Sequence, residues 1–190
     1  MNFNIIFCDI NSEFIYHYSK HIKQLDNISF YNGDIRNLNQ QFDCLISPGN
    51  SFCLFDGGFD GAIKKYFDTD NFTIDMQQQL IDKCGGYQQP GTCIMLETKN
   101  EKCPYIAHTP TMIIPTEITD LSIIYNAMWS TMIEIHKHNE NKLNKNKIKT
   151  VVCPNFGCGV GGLDSSIVSQ LVGLALSDYF EFIKNKPQTD

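Results

Sequence analysis

The sequence predicts a single three-layer α/β/α domain with a mixed, mostly parallel sheet, spanning residues 1–190. Short apolar runs of strand length alternate along the chain with longer amphipathic patterns. Two glycine-rich turns each follow an apolar run and precede a helical pattern, which is typical of strand–turn–helix units. A chain of 190 residues is long enough for one domain with a sizeable core.

The elements follow from periodicity and from residues that start or stop helices. Apolar runs predict strands at residues 4–8, 28–31, 42–46, 92–96, 105–109 and 150–154. Amphipathic patterns predict helices from residue 11 or 12 to about 25, from about 62 to 67, from 73 or 75 to about 84, from 119 or 120 to beyond 135, and from about 165 to 182. Gly85 and Gly86 should end the third helix. Two polar stretches, at about 139–148 and 184–190, are predicted to be a solvated loop and a tail.

Charge and composition exclude some classes of function. The formal net charge of −6 argues against a general nucleic-acid binder. Arg36 is the only arginine, so a phosphate ligand would have to be held mainly by backbone amides. No apolar run approaches the length of a membrane span and the first residues lack a basic leader, so we expect no membrane segment.

The eight cysteines include no C-x-x-C pair, and several lie inside apolar runs, where cysteine acts as a small hydrophobic residue. We therefore expect reduced cysteines and an intracellular protein, cytoplasmic or nuclear. His17 and His21 have a spacing that suits a metal ion, but no complete ligand set accompanies them. A solvated helix face is the favoured interpretation, and neither a metal nor a cofactor is predicted.

The first glycine-rich turn, within residues 45–63, suits an anionic ligand. The strand breaks at Pro48, and Asn50 and the Gly57–Gly58 pair follow before the helix. Free amides and the positive end of a helix dipole favour an anion such as a diphosphate. Asn50 can both donate and accept hydrogen bonds. Asp60 is unfavourable for binding an anion, but a carboxylate at that place is useful for chemistry beside one.

The second glycine-rich turn, at residues 157–162, matches the letters of the dinucleotide-binding pattern G-x-G-x-x-G. The context argues against that interpretation, because the pattern belongs to a first βαβ unit and this turn lies in the last one. Cys158 also suggests a nucleophile. A cysteine phosphatase needs an arginine six positions later to grip the phosphate, and no arginine follows Cys158.

These two turns together resemble the phosphate-binding loops of the macro domain, an α/β module that recognises ADP-ribose. The family pattern is Asn-Ala-Ala-Asn, then a run of glycines, then Val-Asp-Gly-Ala-Ile, and segments 47–50 and 57–63 are similar to it. Two departures stand out: Ser47 replaces the first asparagine, and residues 55–56 replace glycines that are usual in the family. The family's Gly-Asp-Ile is matched by residues 33–35. Gly161 stands where the family usually has Phe or Tyr, and the likeness covers roughly residues 28–176.

The resemblance implies roles for particular residues. Asp34 would accept a hydrogen bond from the adenine amino group, supported by the Ile35 amide; the alternative is a turn aspartate that caps the following turn. Asn50 would orient the distal ribose, and Asp60 would position or activate water. The ligand-binding residues implied by the two loops are Ser47, Asn50, Gly57, Gly58, Phe156, Gly157, Cys158, Gly159, Val160 and Gly161.

Several alternatives stay open from the sequence. His108 either faces the ligand cleft or is a core histidine. Phe156 or Phe52 could replace the aromatic that Gly161 lacks. Adenine would be covered by an aromatic outside the family's usual final strand, and the candidates are Phe30, Tyr31 and Tyr179.

The expected activity is removal of a group from the distal ribose of an ADP-ribose derivative, either a 1″-phosphate or an ADP-ribosylated protein side chain. The rival hypothesis is a reader that binds ADP-ribose and catalyses nothing, which the missing aromatic at Gly161 favours. We expect a monomer whose partners are ADP-ribose or ADP-ribosylated proteins.

Overall fold

The computed structural model describes residues 3–22, 27–67, 70–140 and 147–186. Its strands and helices alternate for most of the chain, as predicted. In chain order they are β1 (Asn4–Asp9), α1 (Ser12–His21), β2 (Ile28–Asn32), β3 (Cys44–Ser47), α2 (Gly58–Phe67), α3 (Phe72–Cys84), β4 (Ile94–Glu97), β5 (Tyr105–His108), α4 (Ser122–Glu140), β6 (Thr150–Cys153) and α5 (Ser165–Asn185). A short 3-10 helix, Ile35–Asn37, follows β2.

The sheet has the order β2-β1-β6-β3-β5-β4. Neighbouring strands run parallel except β4, which pairs antiparallel with β5 at one edge. The predicted mixed, mostly parallel sheet is confirmed. Because β1, β2, β3, β5 and β6 point the same way, the loops that follow them meet at one edge of the sheet, where such folds bind ligands.

Helices cover both faces of the sheet and make three layers. Alternate residues of β1 enter two different cores: Ile5 and Phe7 pack with α1, α4 and α5, whereas Ile6 and Cys8 pack with α2 and α3. This alternation follows from the two-residue period of a strand. The apolar runs of the sequence are continuous because both faces of a parallel sheet are buried.

Element ends differ from the sequence predictions in ways that matter for the site. Helix α2 begins at Gly58 rather than near residue 62, because the Gly61 amide already donates to the Gly57 carbonyl at 2.9 Å. Asp60 therefore lies inside the first helical turn and not before it.

The remaining differences lie at the ends of strands and helices. Strand β3 is Cys44–Ser47 rather than 42–46, and β4 is Ile94–Glu97 rather than 92–96. Helix α1 ends at His21 rather than near residue 25, and residues 23–26 lie outside the described part of the chain. Helix α4 continues to Glu140 and α5 to Asn185, so the predicted polar loop and tail each begin as helix. The rest of those two stretches includes residues 141–146 and 187–190, which also lie outside the described ranges.

Helix α5 has the length and composition of a membrane span, although no such segment is expected from the sequence. By length and composition alone it could cross a membrane, with a mean hydropathy of 1.2 over 18 residues. In the fold it packs against α1 and α4, and Val168, Val172 and Leu176 are fully buried there. These buried residues account for part of its apolar character, while Ile167, Leu174 and Phe182 are 43%, 52% and 42% exposed.

Candidate functional site

A cavity of about 320 Å³ opens where the loops after β3, β5 and β6 meet. Three segments of the chain line it. The lining residues are Pro48, Gly49, Asn50, Asp56, Gly57, Gly58, Phe59, Asp60, Met112, Pro115, Asn155, Gly157, Gly159, Val160 and Gly161. The two glycine-rich turns singled out in the sequence thus both line one cavity.

The first loop starts as a continuation of the sheet beyond the ends of β3 and β5. The Thr111 amide donates to the Gly49 carbonyl at 3.0 Å, and the Thr111 hydroxyl donates to the Pro48 carbonyl at 3.1 Å. The Ser51 amide then donates to the Met112 carbonyl at 3.0 Å. These bonds fix the backbone on both sides of Asn50, so its position depends on the sheet and not on the loop alone.

Asn50 is buried and lines the cavity. Its Oδ1 accepts from the Phe52 amide at 3.1 Å. With the oxygen used in this local turn, the Nδ2 amide is the group that Asn50 can offer a ligand as a donor.

Asp60 lines the same cavity although it is only 7% exposed. The Ser47 hydroxyl donates to its Oδ1 at 2.8 Å. A Cβ at Gly49 would lie 1.9 Å from Asp60 Oδ2, so only glycine leaves room for the carboxylate at this place. Burial raises the pKa of Asp60 to about 6, and the hydrogen bond from Ser47 offsets part of that effect while the charge of Asp56 adds to it.

The N-terminus of α2 faces the cavity through Gly57 and Gly58. A Cβ at either glycine would meet nothing within 4 Å, so the backbone here is open to a ligand. Gly58 has a φ of +54°, which favours glycine. The first amides of a helix have no partner within the helix, and this turn therefore suits an anion.

The second loop has a backbone that excludes side chains. A Cβ at Gly161 would lie 2.4 Å from the Gly157 carbonyl oxygen and 2.7 Å from Ile118 Cδ1. The Ile118 amide also donates to the Gly161 carbonyl at 3.0 Å and fixes the loop in this position. The missing aromatic thus has a steric reason, because this loop has no room for any side chain at residue 161.

Two predicted residues of the second loop point away from the cavity. Phe156 is fully buried in the core on the side of α1, α4 and α5, so its ring does not supply the aromatic missing at Gly161. The Cys158 thiol donates to the Phe156 carbonyl at 3.6 Å, and burial raises its pKa to about 11. A thiol with that pKa is a poor nucleophile near neutral pH. Phe52 contacts Tyr87 edge to face and is not part of the lining.

Asp34 and Ile35 lie outside the cavity lining. Asp34 caps the 3-10 helix by accepting from the Arg36 amide at 2.9 Å, and it pairs with the Arg36 guanidinium. The hydrogen bond from the Arg36 side chain is the main reason that the pKa of Asp34 falls to about 2. The Ile35 side chain is buried in the core beneath α2. The capping role of Asp34 is seen directly, and its contact with adenine stays a prediction.

His108 is a core histidine. It is fully buried at the end of β5, its Nδ1 lies 2.7 Å from Gln88 Oε1, and it does not line the cavity. Gln88 uses its Nε2 to donate to the His108 carbonyl at 3.0 Å, so its Oε1 must accept the proton of Nδ1. Burial lowers the pKa of His108 to about 4, partly offset by the Asn50 carbonyl, so the ring is neutral at physiological pH.

The three aromatic residues considered for adenine are all engaged in the fold. Tyr179 is almost fully buried, and Phe30 packs against Phe7 in the core. The Tyr31 ring lies against Gly33, and its hydroxyl donates to the Asn37 carbonyl at 3.3 Å. Of these, Phe30 and Tyr31 keep partial exposure.

The sequence predictions missed several residues of the lining. Asn155 lies in the loop after β6, and its buried Oδ1 has no hydrogen-bond partner among the described residues. Met112 and Pro115 come from the loop after β5. Only their positions in the sequence could have indicated these residues, because each follows a predicted strand that ends at the ligand-binding edge of the sheet. Within the described ranges, no group of three or more His, Cys, Asp or Glu residues could hold a metal ion.

Together these features define an α/β/α fold with a cleft that both glycine-rich loops line. The family model of the macro domain matches residues 46–172 of the chain. The protein belongs to the macro domain family. The match includes both glycine-rich loops, the whole of α2 and the first part of α5.

Solved macrodomain structures have the same fold. The macrodomain of Mycobacterium tuberculosis DarG is 21% identical with a TM-score of 0.59, over 77% of this chain and 87% of that chain. A mutant Oceanobacillus iheyensis macrodomain with ADPR is 14% identical with a TM-score of 0.53, over 81% and 91%. The Trypanosoma brucei macrodomain in complex with ADP-ribose is 19% identical with a TM-score of 0.51, over 74% and 53%.

Proposed function

We propose that this macro domain binds ADP-ribose and hydrolyses the bond between the distal ribose and a group attached to it. One observation carries the proposal: the buried Asp60 carboxylate lines the same cavity as the two glycine-rich loops, whose amides suit a diphosphate. A protein that only binds an anion has no evident use for a carboxylate at this place, whereas a hydrolase can use it on water.

Support for the ligand comes from the family and from the geometry of the two loops. Macrodomains of Oceanobacillus iheyensis and Trypanosoma brucei have been solved with ADPR or ADP-ribose bound. In this chain the open backbone at Gly57 and Gly58 and the glycines of the second loop offer amides to a diphosphate. The distal ribose would then lie toward Asn50, whose Nδ2 can donate to a hydroxyl.

The chemistry follows from the position and pKa of Asp60. A general base works best when its pKa is near the operating pH, and a value of about 6 satisfies this condition. Asp60 would accept a proton from a water molecule while that water attacks the substrate. Asn50 would keep the ribose in the orientation in which the attack can occur.

The rival function is a reader of ADP-ribose without catalysis. From the sequence, the favouring observation was glycine at position 161 in place of an aromatic. In the structure the backbone of the second loop leaves no space for a side chain there. Gly161 therefore reflects the conformation of the loop and does not distinguish a reader from an enzyme.

The test combines calorimetry with a turnover assay. ADP-ribose should bind in the micromolar range, about −8 kcal/mol. Asp60→Ala should keep or slightly improve this affinity, because it removes a negative charge beside the diphosphate. It should also lower the release of ADP-ribose from a mono-ADP-ribosylated protein, or of phosphate from ADP-ribose 1″-phosphate, by about 10²–10⁴-fold.

Two further variants make the outcome specific. Asp60→Asn keeps the size and the acceptor for Ser47 but not the base, so it should be as inactive as Asp60→Ala. Asp82→Asn, on the exposed face of α3, removes a carboxylate that is not part of the cavity lining and should change neither binding nor rate. Binding of ADP-ribose without turnover of either substrate by the wild type would establish the reader instead.

A further inference from the structure

We infer that Phe55 is a positioning residue, whose buried ring holds the first glycine-rich loop in its ligand-binding conformation before any ligand is bound. The inference rests on the proposed function and concerns how the same loop is kept in place. It follows from the backbone conformation at Phe55, from the lack of hydrogen bonds in residues 54–56, and from the burial of the ring.

Two residues of this loop that are not glycine have a left-handed backbone. Cys53 and Phe55 each have a φ of +50°. In this conformation a Cβ lies too close to the following carbonyl oxygen, so residues other than glycine seldom adopt it. Such residues persist only where the surrounding structure holds them, and they are concentrated at ligand sites. Phe55 also stands where the family pattern has glycine, so the loop carries strain that glycine would avoid.

Hydrogen bonds hold the start of the loop but not its end. The Gln88 amide donates to the Ser51 carbonyl at 3.1 Å, and the Cys53 amide donates to the Asn50 carbonyl at 3.4 Å. Residues 54–56 form no hydrogen bond with any other residue that the structure describes. Hydrogen bonding therefore does not explain how these three residues keep their position.

The ring of Phe55 attaches this segment to the core. It is 1% exposed, it meets the Phe72 ring edge to face at a centroid distance of 5.0 Å, and its centroid lies 6.4 Å from that of the His108 ring. Of its neighbours in the chain, Leu54 is partly exposed and Asp56 is exposed. Burial of an aromatic ring is strongly favourable, so it can offset the strain in the backbone. Phe55 thus supplies the one buried side chain of residues 54–56.

The residues that directly follow Phe55 face the ligand. Asp56, Gly57 and Gly58 all line the cavity, whereas Phe55 does not. A diphosphate is bound well only if the amides of this turn point at it together. A loop that already has this conformation loses less entropy when the ligand binds, so more of the interaction energy remains as affinity. Phe55 therefore acts on the ligand through the backbone of the next three residues.

The first test measures the backbone dynamics of the ligand-free wild type by ¹⁵N relaxation. The order parameters of Phe55, Gly57 and Gly58 should be about 0.85, the value of a rigid backbone, although residues 54–56 lack hydrogen bonds. Values below about 0.6 at these residues would show a flexible loop and would overturn the inference. The measurement needs neither a variant nor a ligand.

The second test uses calorimetry with ADP-ribose. Phe55→Gly removes the ring and relieves the strain, so it should raise the Kd about tenfold and lower the order parameters of Gly57 and Gly58. Phe55→Leu keeps an apolar side chain in the core and should bind within about threefold of the wild type. Leu80→Ala is the matched control, because Leu80 is also 1% exposed in the same core but lies on α3. It should lower stability and leave the Kd unchanged.

The outcomes separate the inference from the proposed function. An unchanged Kd in Phe55→Gly overturns the inference, and so does an equal rise in Kd for Leu80→Ala, which would reflect a general loss of stability. Both results leave the proposed function intact. Absence of ADP-ribose binding by the wild type overturns the proposed function, while the order parameters still show whether the loop is held. The same wild-type measurement decides the question if Phe55→Gly does not fold.

Discussion

At the scale of single residues, the contact between Ser47 and Asp60 decides the state of the carboxylate in the cavity. Both residues are buried, and the Ser47 hydroxyl is the only side-chain donor to Asp60 within the described structure. A buried carboxylate that loses its donor keeps the full cost of desolvation. Ser47 thus acts on the site through Asp60, although the sequence resemblance placed it on the ligand.

Ser47→Ala should raise the pKa of Asp60 by about 1–2 units, because a hydrogen bond to a charged group contributes about 1.5–3 kcal/mol. The measurement is the titration of the Asp60 carboxyl carbon by NMR, which depends on neither ligand nor turnover. Ser51→Ala is the control, since Ser51 is also buried in this loop but its hydroxyl donates to the Met112 carbonyl. An unchanged Asp60 midpoint in Ser47→Ala would show that Ser47 has only a packing role.

At the scale of elements, the second glycine loop is held by close approaches of its own backbone. Gly157 has a φ of +69°, and a Cβ there would lie 2.7 Å from Ile118 Cδ1. Gly161 lies against the Gly157 carbonyl. Gly157 and Gly161 are thus needed for the packing of this loop on the segment before α4, whereas Gly159 of the dinucleotide-like pattern is not.

Gly161→Ala should lower the free energy of unfolding by about 1–3 kcal/mol, because the added methyl group overlaps backbone atoms that cannot move aside. Thermal unfolding of the ligand-free protein measures the effect. Gly159→Ala is the matched control from the same loop, since a Cβ at Gly159 meets nothing within 4 Å. Equal melting temperatures for the two variants would contradict the assignment.

At the scale of the whole molecule, two buried groups give opposite responses of stability to acid. Asp60 has its pKa raised to about 6, so its stabilising contribution is complete below its unfolded value of 3.8 and is lost as pH rises through 6. His108 has its pKa lowered to about 4, so its contribution is complete above 6.5 and is lost as pH falls through 4. Each amounts to about 3 kcal/mol, and the two nearly cancel between pH 7 and pH 4.

Urea unfolding of the wild type and two variants from pH 7 to pH 4 separates these contributions. From pH 7 to pH 4, the free energy of unfolding of Asp60→Asn should fall by about 3 kcal/mol relative to that of the wild type, because the loss from His108 is no longer offset by a gain from Asp60. The free energy of unfolding of His108→Gln should instead rise by about 3 kcal/mol relative to that of the wild type over the same range, because only the gain from Asp60 remains. Parallel pH curves for all three proteins would mean that neither group is shifted as the structure indicates.

Local patterns along the chain were enough to establish the fold class, the two glycine-rich loops and most of the residues of the cavity. Apolar periodicity marks the strands and helices, and glycine after a strand marks a turn with free amides. The spacing from Asn50 to Asp60 is also local, so the sequence alone could place the two residues in one site. Cys158 could be set aside as a nucleophile for want of an arginine partner.

The features that depend on which elements are neighbours became visible only in the folded molecule. The order of the sheet places β1 between β2 and β6, although β6 is more than a hundred residues away in the chain. The same packing brings Ser47 to Asp60, closes the space at Gly161 against Ile118, and buries Phe156 and His108 in the core. A linear pattern cannot predict these contacts, because each joins residues on different elements, and the packing of the sheet and its helices decides which elements are close in space.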